Sequence, residues 1–329
     1  MGEQRRKRKR VRLRWGRVFG ALLILCVFFI GIYSVYQYIQ GTLESNNKTF
    51  KNDQGNHAFE GEKSEIGDVN VLLLGSDSRG EKQARTDTIM VAHYDQRTHS
   101  VKLISFMRDM YVSIPGHGKQ KLNAAYAYGG PELLRKTIKE NFSLDINYYA
   151  IVDFKGFEEA VDILVPNGIQ VDVPHVMTSG IGMEIEKGKQ TLHGKELLGY
   201  VRYRQDRLSD FGRVQRQQEV VSKIVEDSVS LRNVAKLPKL LGVLNSYVNT
   251  NIDTTTLFTI GKDFVTNNSG DLETLRIPEN DTFENIRYED IGEVLEVDFQ
   301  QNKEALKEFL EGENHNSDGQ NEEDKSDVG

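Results

Sequence analysis

A single cysteine, Cys26, in 329 residues excludes an intramolecular disulfide and any zinc site made of several cysteines. Neither His-Glu-x-x-His nor Gly-x-Ser-x-Gly occurs, and the seven histidines are scattered. Metalloprotease and serine-hydrolase chemistry therefore have no sequence support. Proline is scarce, six in all, and no Pro/Gly/Ser-rich linker or internal repeat divides the central region. Charge is missing from one whole stretch, between Arg17 and Glu44. Within it, Phe19–Ile39 is apolar except for Gln37 as the strongly polar residue. As a helix rising about 1.5 Å per residue it spans roughly 30 Å, the thickness of a bilayer's hydrocarbon.

What flanks that stretch orients it. Nine of the chain's 42 basic residues lie in positions 1–17, with Glu3 the only acid there. The positive-inside rule keeps this end in the cytoplasm, while Trp15 at one end and Tyr33, Tyr36 and Tyr38 at the other read as interfacial aromatics. The span is too long for a signal-peptide core and no small-x-small cleavage site follows, so it is expected to remain as an anchor in the membrane bilayer. The expected topology is single-pass type II with the body outside. Net charge is −7, and removing the basic tail leaves a distinctly acidic body. No nucleic acid is expected as partner, since phosphate would be repelled.

The expected organisation is a basic tail (1–17), a transmembrane helix (18–39), a polar tether (40–66), one folded domain (67–310) and an acidic tail of disordered composition (311–329). Val69–Leu74 is an apolar run ended by Gly75, the mark of a strand buried on both faces. Further strands are predicted at Thr88–Tyr94, Val101–Phe106, Tyr148–Phe154, Gly168–Val173 and Leu272–Ile277. Helices are predicted from Pro131 at an N1 position through Phe142, over Gly156–Leu164 and over Arg213–Ser228. This alternation predicts an α/β fold with a central mixed sheet flanked by helices on both faces.

Four segments can carry chemistry. Gly75-Ser-Asp-Ser-Arg-Gly80 nearly spells a phosphate-binding loop, but Glu81 stands where the lysine would be, which excludes a P-loop NTPase. It still offers Asp77 as a hard oxygen ligand and Arg79 as a two-pronged phosphate donor. Asp87 precedes the next strand, so Asp77 and Asp87 can share a Mg²⁺ (or Mn²⁺) at a strand edge. Arg108 and Asp109 follow the third strand directly. The stretch Tyr200–Gln217 contains Arg202, Arg204, Arg207, Arg213 and Arg216 and no lysine. Arginine in place of lysine points to planar, two-pronged binding of phosphate or carboxylate. Arg202 and Arg204 share one face if the segment is extended. Arg213, Arg216 and Gln217 fall on the first turns of a helix starting near Gly212, capped by Ser209 or Asp210 and favourable to anions.

LLLGSDSR (72–79), ARTDT (84–88), SFMRD (105–109), KLNAAYAYGG (121–130), NGIQVDV (167–173) and the stretch from Gly188 through Gln218, in this order behind an anchor, resemble the LytR-CpsA-Psr family. Within it, KLNAAYAYGGPELL most resembles an MsrR-type subgroup. The resemblance implies an extracytoplasmic, Mg²⁺-assisted phosphotransferase of a Gram-positive bacterium. Such enzymes move an anionic glycopolymer, for example wall teichoic acid, from an undecaprenyl pyrophosphate-linked precursor to peptidoglycan as a phosphodiester. It also implies an α/β sandwich with a hydrophobic tunnel for the prenyl chain. Asp77 and Asp87 match its metal-side carboxylates. Arg79, Arg108, Arg202, Arg204, Arg213 and Gln217 match its pyrophosphate-side residues, with Arg108, Asp109, Arg202 and Arg204 nearest the reaction. Asp87 and Asp109 stay equal candidates for taking the acceptor's proton. Leucines and isoleucines in 131–165 and 220–265 are tunnel or core. The alternative function is a membrane-anchored regulator that holds pyrophosphate lipids without turnover. One departure is visible: relatives usually read Leu-Asn-Gly and Ala-Leu-Ala-Tyr where this chain has Leu192-His193-Gly194 and Leu197-Leu198-Gly199-Tyr200.

Overall fold

The computed structural model describes residues 33–40, 59–61, 68–76, 86–206, 208–228, 236–267 and 272–312. Most of the expected membrane span, most of the tether, Asp77, Arg79, Arg207 and the acidic tail beyond residue 312 lie outside these. Residues 33–40 are helical, and among the described residues no helix is long and apolar enough to cross a membrane.

Six strands form the central sheet in the order β10-β3-β2-β1-β6-β9. They are β1 Asp68–Ser76, β2 Thr88–Asp95, β3 Ser100–Phe106, β6 Tyr148–Asp153, β9 Val248–Thr250 and β10 Leu272–Ile277. β1 pairs parallel with β6 and β3 with β10, while β2 runs antiparallel to both β1 and β3. Three hairpins stand outside the sheet: β4 Tyr111–Ile114 with β5 Gly118–Lys121, β7 Ile169–Val173 with β8 Gly188–Leu192, and β11 Phe283–Tyr288 with β12 Gly292–Val297. The helices are α1 Leu122–Phe142, α2 Phe154–Leu164, α3 Gly194–Arg202, α4 Ser209–Ser228, α5 Leu237–Tyr247, α6 Thr254–Asn267 and α7 Phe299–Glu311.

Two hydrophobic cores follow from this arrangement. In the first, Leu72, Leu74, Ile89, Val91, Ile104 and Phe106 of the sheet meet Leu134, Ile138 and Phe142 of α1 and Leu306 of α7. The second gathers α2, the β7–β8 hairpin, α3 and α4 through Val161, Ile169, Val171, Leu197 and Val220, and no strand of the sheet enters it. Helix α4 joins the two, with Val214 in the first and Val220 in the second. The sheet is thus covered on both sides, but unequally. Leu72 and Leu74 are fully buried, whereas Val71, Leu73, Ala150 and Val152 on the other side are only half-buried. The expectation that β1 is buried on both faces therefore holds for Leu72 and Leu74 on one face and, on the other, for Val69 but not for Val71 and Leu73. Val71, Leu73, Ala150 and Val152 belong to neither hydrophobic core.

Two helix starts differ from the sequence reading. The chain is already helical at Leu122, breaks at Gly129 and Gly130, and resumes at Pro131. Gly130 has φ 63° and ψ −157°, a backbone state that glycine alone enters freely, so Pro131 does open a helical segment but not the first. Helix α4 begins at Ser209 rather than near Gly212. The Asp206 side chain accepts from Leu208 N at 3.0 Å and its carbonyl from Ser209 N at 3.2 Å, so the turn is organised one residue group earlier than a Ser209 or Asp210 cap supposes. Leu134 and Ile138 are core with no exposure, as the core alternative for 131–165 requires.

Candidate active site

The strand directions bring the expected residues together. β1, β3 and β6 end, and β2 begins, at one edge of the sheet, which places Gly75, Asp87, Thr88, Arg108 and Phe154 there. The α3–turn–α4 unit lies over that edge and supplies Arg202, Arg204, Arg213 and Gln217. A cavity of about 270 Å³ lies between them, lined by Asp87, Thr88, Arg202, Arg204, Arg213 and Gln217 among others, while Arg108 stands behind Asp87 and does not line it. Gln217 Nε2 donates to Thr88 Oγ1 at 2.9 Å, tying helix to sheet across it.

An ion-pair network organises the charge. Asp87 accepts from Arg204 Nη2 at 2.6 Å and from Arg108 Nη1. Asp210 Oδ2 accepts from Arg108 Nε at 3.0 Å, and its Oδ1 lies 3.1 Å from Arg213 Nη1 and 3.7 Å from Arg204 Nε. Asp210 is thus the anion shared by three arginines. Asp109 is turned away from the cavity, held by Lys121 Nζ at 2.9 Å and Arg108 Nε at 3.1 Å. Arg202 lies over Phe154, its guanidinium carbon 4.2 Å from the ring centroid, a cation–π contact that fixes its position at the cavity.

Arg213 is the most exacting of these groups. Its side chain is 3% exposed, and its Nε and Nη1 make no hydrogen bond among the described residues despite the nearness of Asp210. Burial, aided by the neighbouring Arg204 and Arg108 charges, pushes it down to about 10, so it remains a cation at neutral pH. A buried cation with unsatisfied donors is costly unless an anion completes it.

The carboxylates carry the complementary signature. Burial acts to raise Asp87, but Arg108 and Arg204 together outweigh it and hold it below the ordinary carboxylate range. Asp109 is lowered too: burial opposes, and the Lys121 hydrogen bond and the Arg108 charge prevail. A carboxylate depressed in the folded state stabilises it above the unfolded value, near 4, and that contribution is lost as pH falls through the lower folded value. The carboxylate contribution to the calorimetric melting temperature should therefore be complete above about pH 5 and be lost below about pH 4, in addition to the earlier decline from about pH 7 that buried His93, held low by burial, brings. Asp87→Asn should remove part of the carboxylate loss; an unchanged acid limb would contradict the pairing.

The structure also corrects the sequence reading of this site. Arg202 and Arg204 do not share a strand face. Arg202 ends α3 and the extended Tyr203 follows, so both reach the cavity through a helix end and a turn. Arg216 does not join Arg213 and Gln217 but is buried on the far side of the turn. Asp77 and Arg79 lie outside the described residues. Three contributors escaped the sequence reading: Asp210, weighed only as a cap, Phe154 and Lys121. The available signal for Asp210 was an acid inside an arginine-only stretch, since buried cations need a counter-ion. The family departure has a local account. His193 takes the N-cap of α3, its backbone N–H donating to Glu196 Oε2 at 3.1 Å, and a methyl on Gly199 would stand 3.0 Å from Met183 Sδ.

A mixed α/β fold with an arginine-lined cavity at its sheet edge defines a class, and the comparisons name it. The LytR_cpsA_psr family model matches residues 32–308, and the chain belongs to that family. Regulatory protein MsrR of Staphylococcus aureus strain COL is 43% identical over 280 residues, 85% of each chain. The polyisoprenyl-teichoic acid–peptidoglycan teichoic acid transferase TagU of Bacillus mycoides strain KBAB4 is 33% identical over 254 residues, 75% of this chain and 83% of TagU. Among solved structures, TagT with a bound octaprenyl pyrophosphate lipid superposes with TM-score 0.55 at 27% identity, covering 80% of this chain and 98% of that one.

Proposed function

We propose that the protein is a membrane-anchored, extracytoplasmic phosphotransferase that moves an anionic glycopolymer from a prenyl pyrophosphate-linked precursor to peptidoglycan. The observation that carries this reading is the buried Arg213, ion-paired to Asp210 yet with its Nε and Nη1 lacking a hydrogen bond among the described residues, set beside Arg202 and Arg204 on a cavity of pyrophosphate scale. The kinship with TagU and the lipid bound in TagT support it. The half-buried row Val71, Leu73, Ala150 and Val152 offers apolar surface to a prenyl chain, each CH₂ contributing about 0.8 kcal/mol when buried.

Phosphoryl transfer requires in-line placement and neutralisation of charge. An acceptor hydroxyl oxygen bonds to the glycopolymer-bearing phosphorus, the bond to the bridging oxygen breaks, and prenyl phosphate leaves. The arginines hold the charge that develops on the leaving oxygen. Of the two candidate proton acceptors, Asp87 borders the cavity with its carboxylate 49% exposed, while Asp109 is tied to Lys121. Asp87 also suits Mg²⁺, which takes one or two hard carboxylates and fills its remaining positions with water and phosphate oxygens. Bound there with Asp77, the ion would offset phosphate charge.

The test is transfer from a pyrophosphate-linked glycopolymer to peptidoglycan oligomers by the purified protein, with and without Mg²⁺. Divalent-dependent product, lost in Asp87→Ala, is expected. Tight binding of the lipid with no product would favour the regulatory reading, which the name of the relative MsrR suggests.

A further inference from the structure

Arg216 is the one described arginine of the Tyr200–Gln217 stretch that the cavity does not use, yet its side chain is only 8% exposed. Its Nε donates to the carbonyl of Tyr200 at 3.2 Å, its Nη2 to the carbonyl of Tyr203, and its Nη1 to Asp206 Oδ2 at 2.5 Å. The guanidinium also lies 5.9 Å from the Tyr200 ring centroid and 5.6 Å from that of Tyr203. These acceptors are spread along the segment that leaves α3 and turns into α4. Arg202 and Arg204 alternate with them in the sequence.

Carbonyls at a helix C-terminus lack intrahelical partners. A turn that must present two arginines to one cavity needs its backbone fixed; the Tyr203 hydroxyl donates to Gln205 O at 3.2 Å and Asp206 accepts from Leu208 N and Ser209 N, while Arg216 ties the Tyr200 and Tyr203 carbonyls to Asp206. Tyr203 N reaches Tyr200 O at 3.4 Å, a long bond. One planar cation with five donors can satisfy separate acceptors on both limbs of the turn, with Asp206 balancing its charge. Lysine, with a single donor centre, cannot span them. We propose that Arg216 is a positioning residue that fixes the Tyr200–Asp206 turn so that Arg202 and Arg204 face the cavity. Its effect on ligand rests on the pyrophosphate reading of that cavity; its effect on the turn does not.

The experiment uses the full-length protein in detergent with inorganic pyrophosphate as probe. Arg216→Lys should weaken pyrophosphate binding by about tenfold in the wild-type background but by less than about twofold when Arg202 and Arg204 are already lysine, because contacting residues are non-additive. Equal losses in both backgrounds would overturn the proposal, as would no loss in the first. Hydrogen exchange of the ligand-free protein supplies the independent arm. Arg216→Lys should speed exchange at Tyr203, Leu208 and Ser209 while leaving β1–β3 unchanged. Unaltered exchange at the turn would refute the positioning role whatever the binding result. Should wild type not bind pyrophosphate at all, the ligand reading fails and the exchange result alone decides the positioning role. Asp206→Asn, which keeps the fold's volume and weakens one contact, should shift both readouts the same way by a smaller factor; no shift with normal folding would count against it.

Discussion

Arg204→Lys and Arg202→Lys are each expected to lower the rate of glycopolymer transfer by about 10- to 150-fold, the effect of losing a charge-assisted hydrogen bond of roughly 1.5–3 kcal/mol. Charge is conserved in both, so a site acting only as a positive surface would tolerate them. The geometry says otherwise. Arg204 spreads its fork between Asp87 and Asp210, and the Arg202 guanidinium lies over the Phe154 ring at 4.2 Å; an ammonium reproduces the fork not at all and the ring contact less well. Arg287→Lys is the control, because that side chain is 79% exposed and far from the network. It should keep the wild-type rate. Rates near wild type for Arg202→Lys and Arg204→Lys would remove these residues from the active site.

Asp210→Ala should cost about 3–5 kcal/mol of stability, the usual consequence of removing one partner from a buried ion pair. Here the carboxylate serves Arg108, Arg204 and Arg213 together, and among the described residues Arg213 has no other counter-ion as near. A bound anion should replace part of what is lost. Added pyrophosphate is therefore expected to raise the melting temperature of Asp210→Ala more than that of the wild type, since a ligand that binds the folded state stabilises by mass action. Equal increments in the two proteins would show that Asp210 and the ligand do not share the same arginines. An undiminished melting temperature in the variant would show that the carboxylate is not a structural counter-ion.

Much of this was legible beforehand for a physical reason. Strand periodicity and apolar runs are local, so Leu272–Ile277 emerges as a strand with the expected bounds, and Thr88–Tyr94 and Val101–Phe106 to within a residue. Short, polar or irregular elements were not legible. β4, β5 and β9 have three or four residues each and owe their form to pairing partners rather than to pattern. Helices α5, α6 and α7 do carry start signals, Pro238, Asp253 and Asp298, which the sequence reading passed over because no clear apolar periodicity follows them. The arginine-only stretch marked an anion site because arginine's chemistry is written in the residue type.

Direction was the missing quantity. The sequence by itself determined the uncharged stretch, the acidic body, the α/β class and the residue types able to hold phosphate, because these depend on composition and on contacts within a few residues. Only the tertiary structure decided which way each side chain faces. It turned Asp109 toward Lys121 and Arg216 beneath the turn, set Arg202 on Phe154, and made Asp210 the counter-ion of three arginines. The last of these depends on Arg108 and Asp210, 102 residues apart, meeting at one sheet edge, and a meeting across that distance is fixed by strand order and packing, not by spacing along the chain.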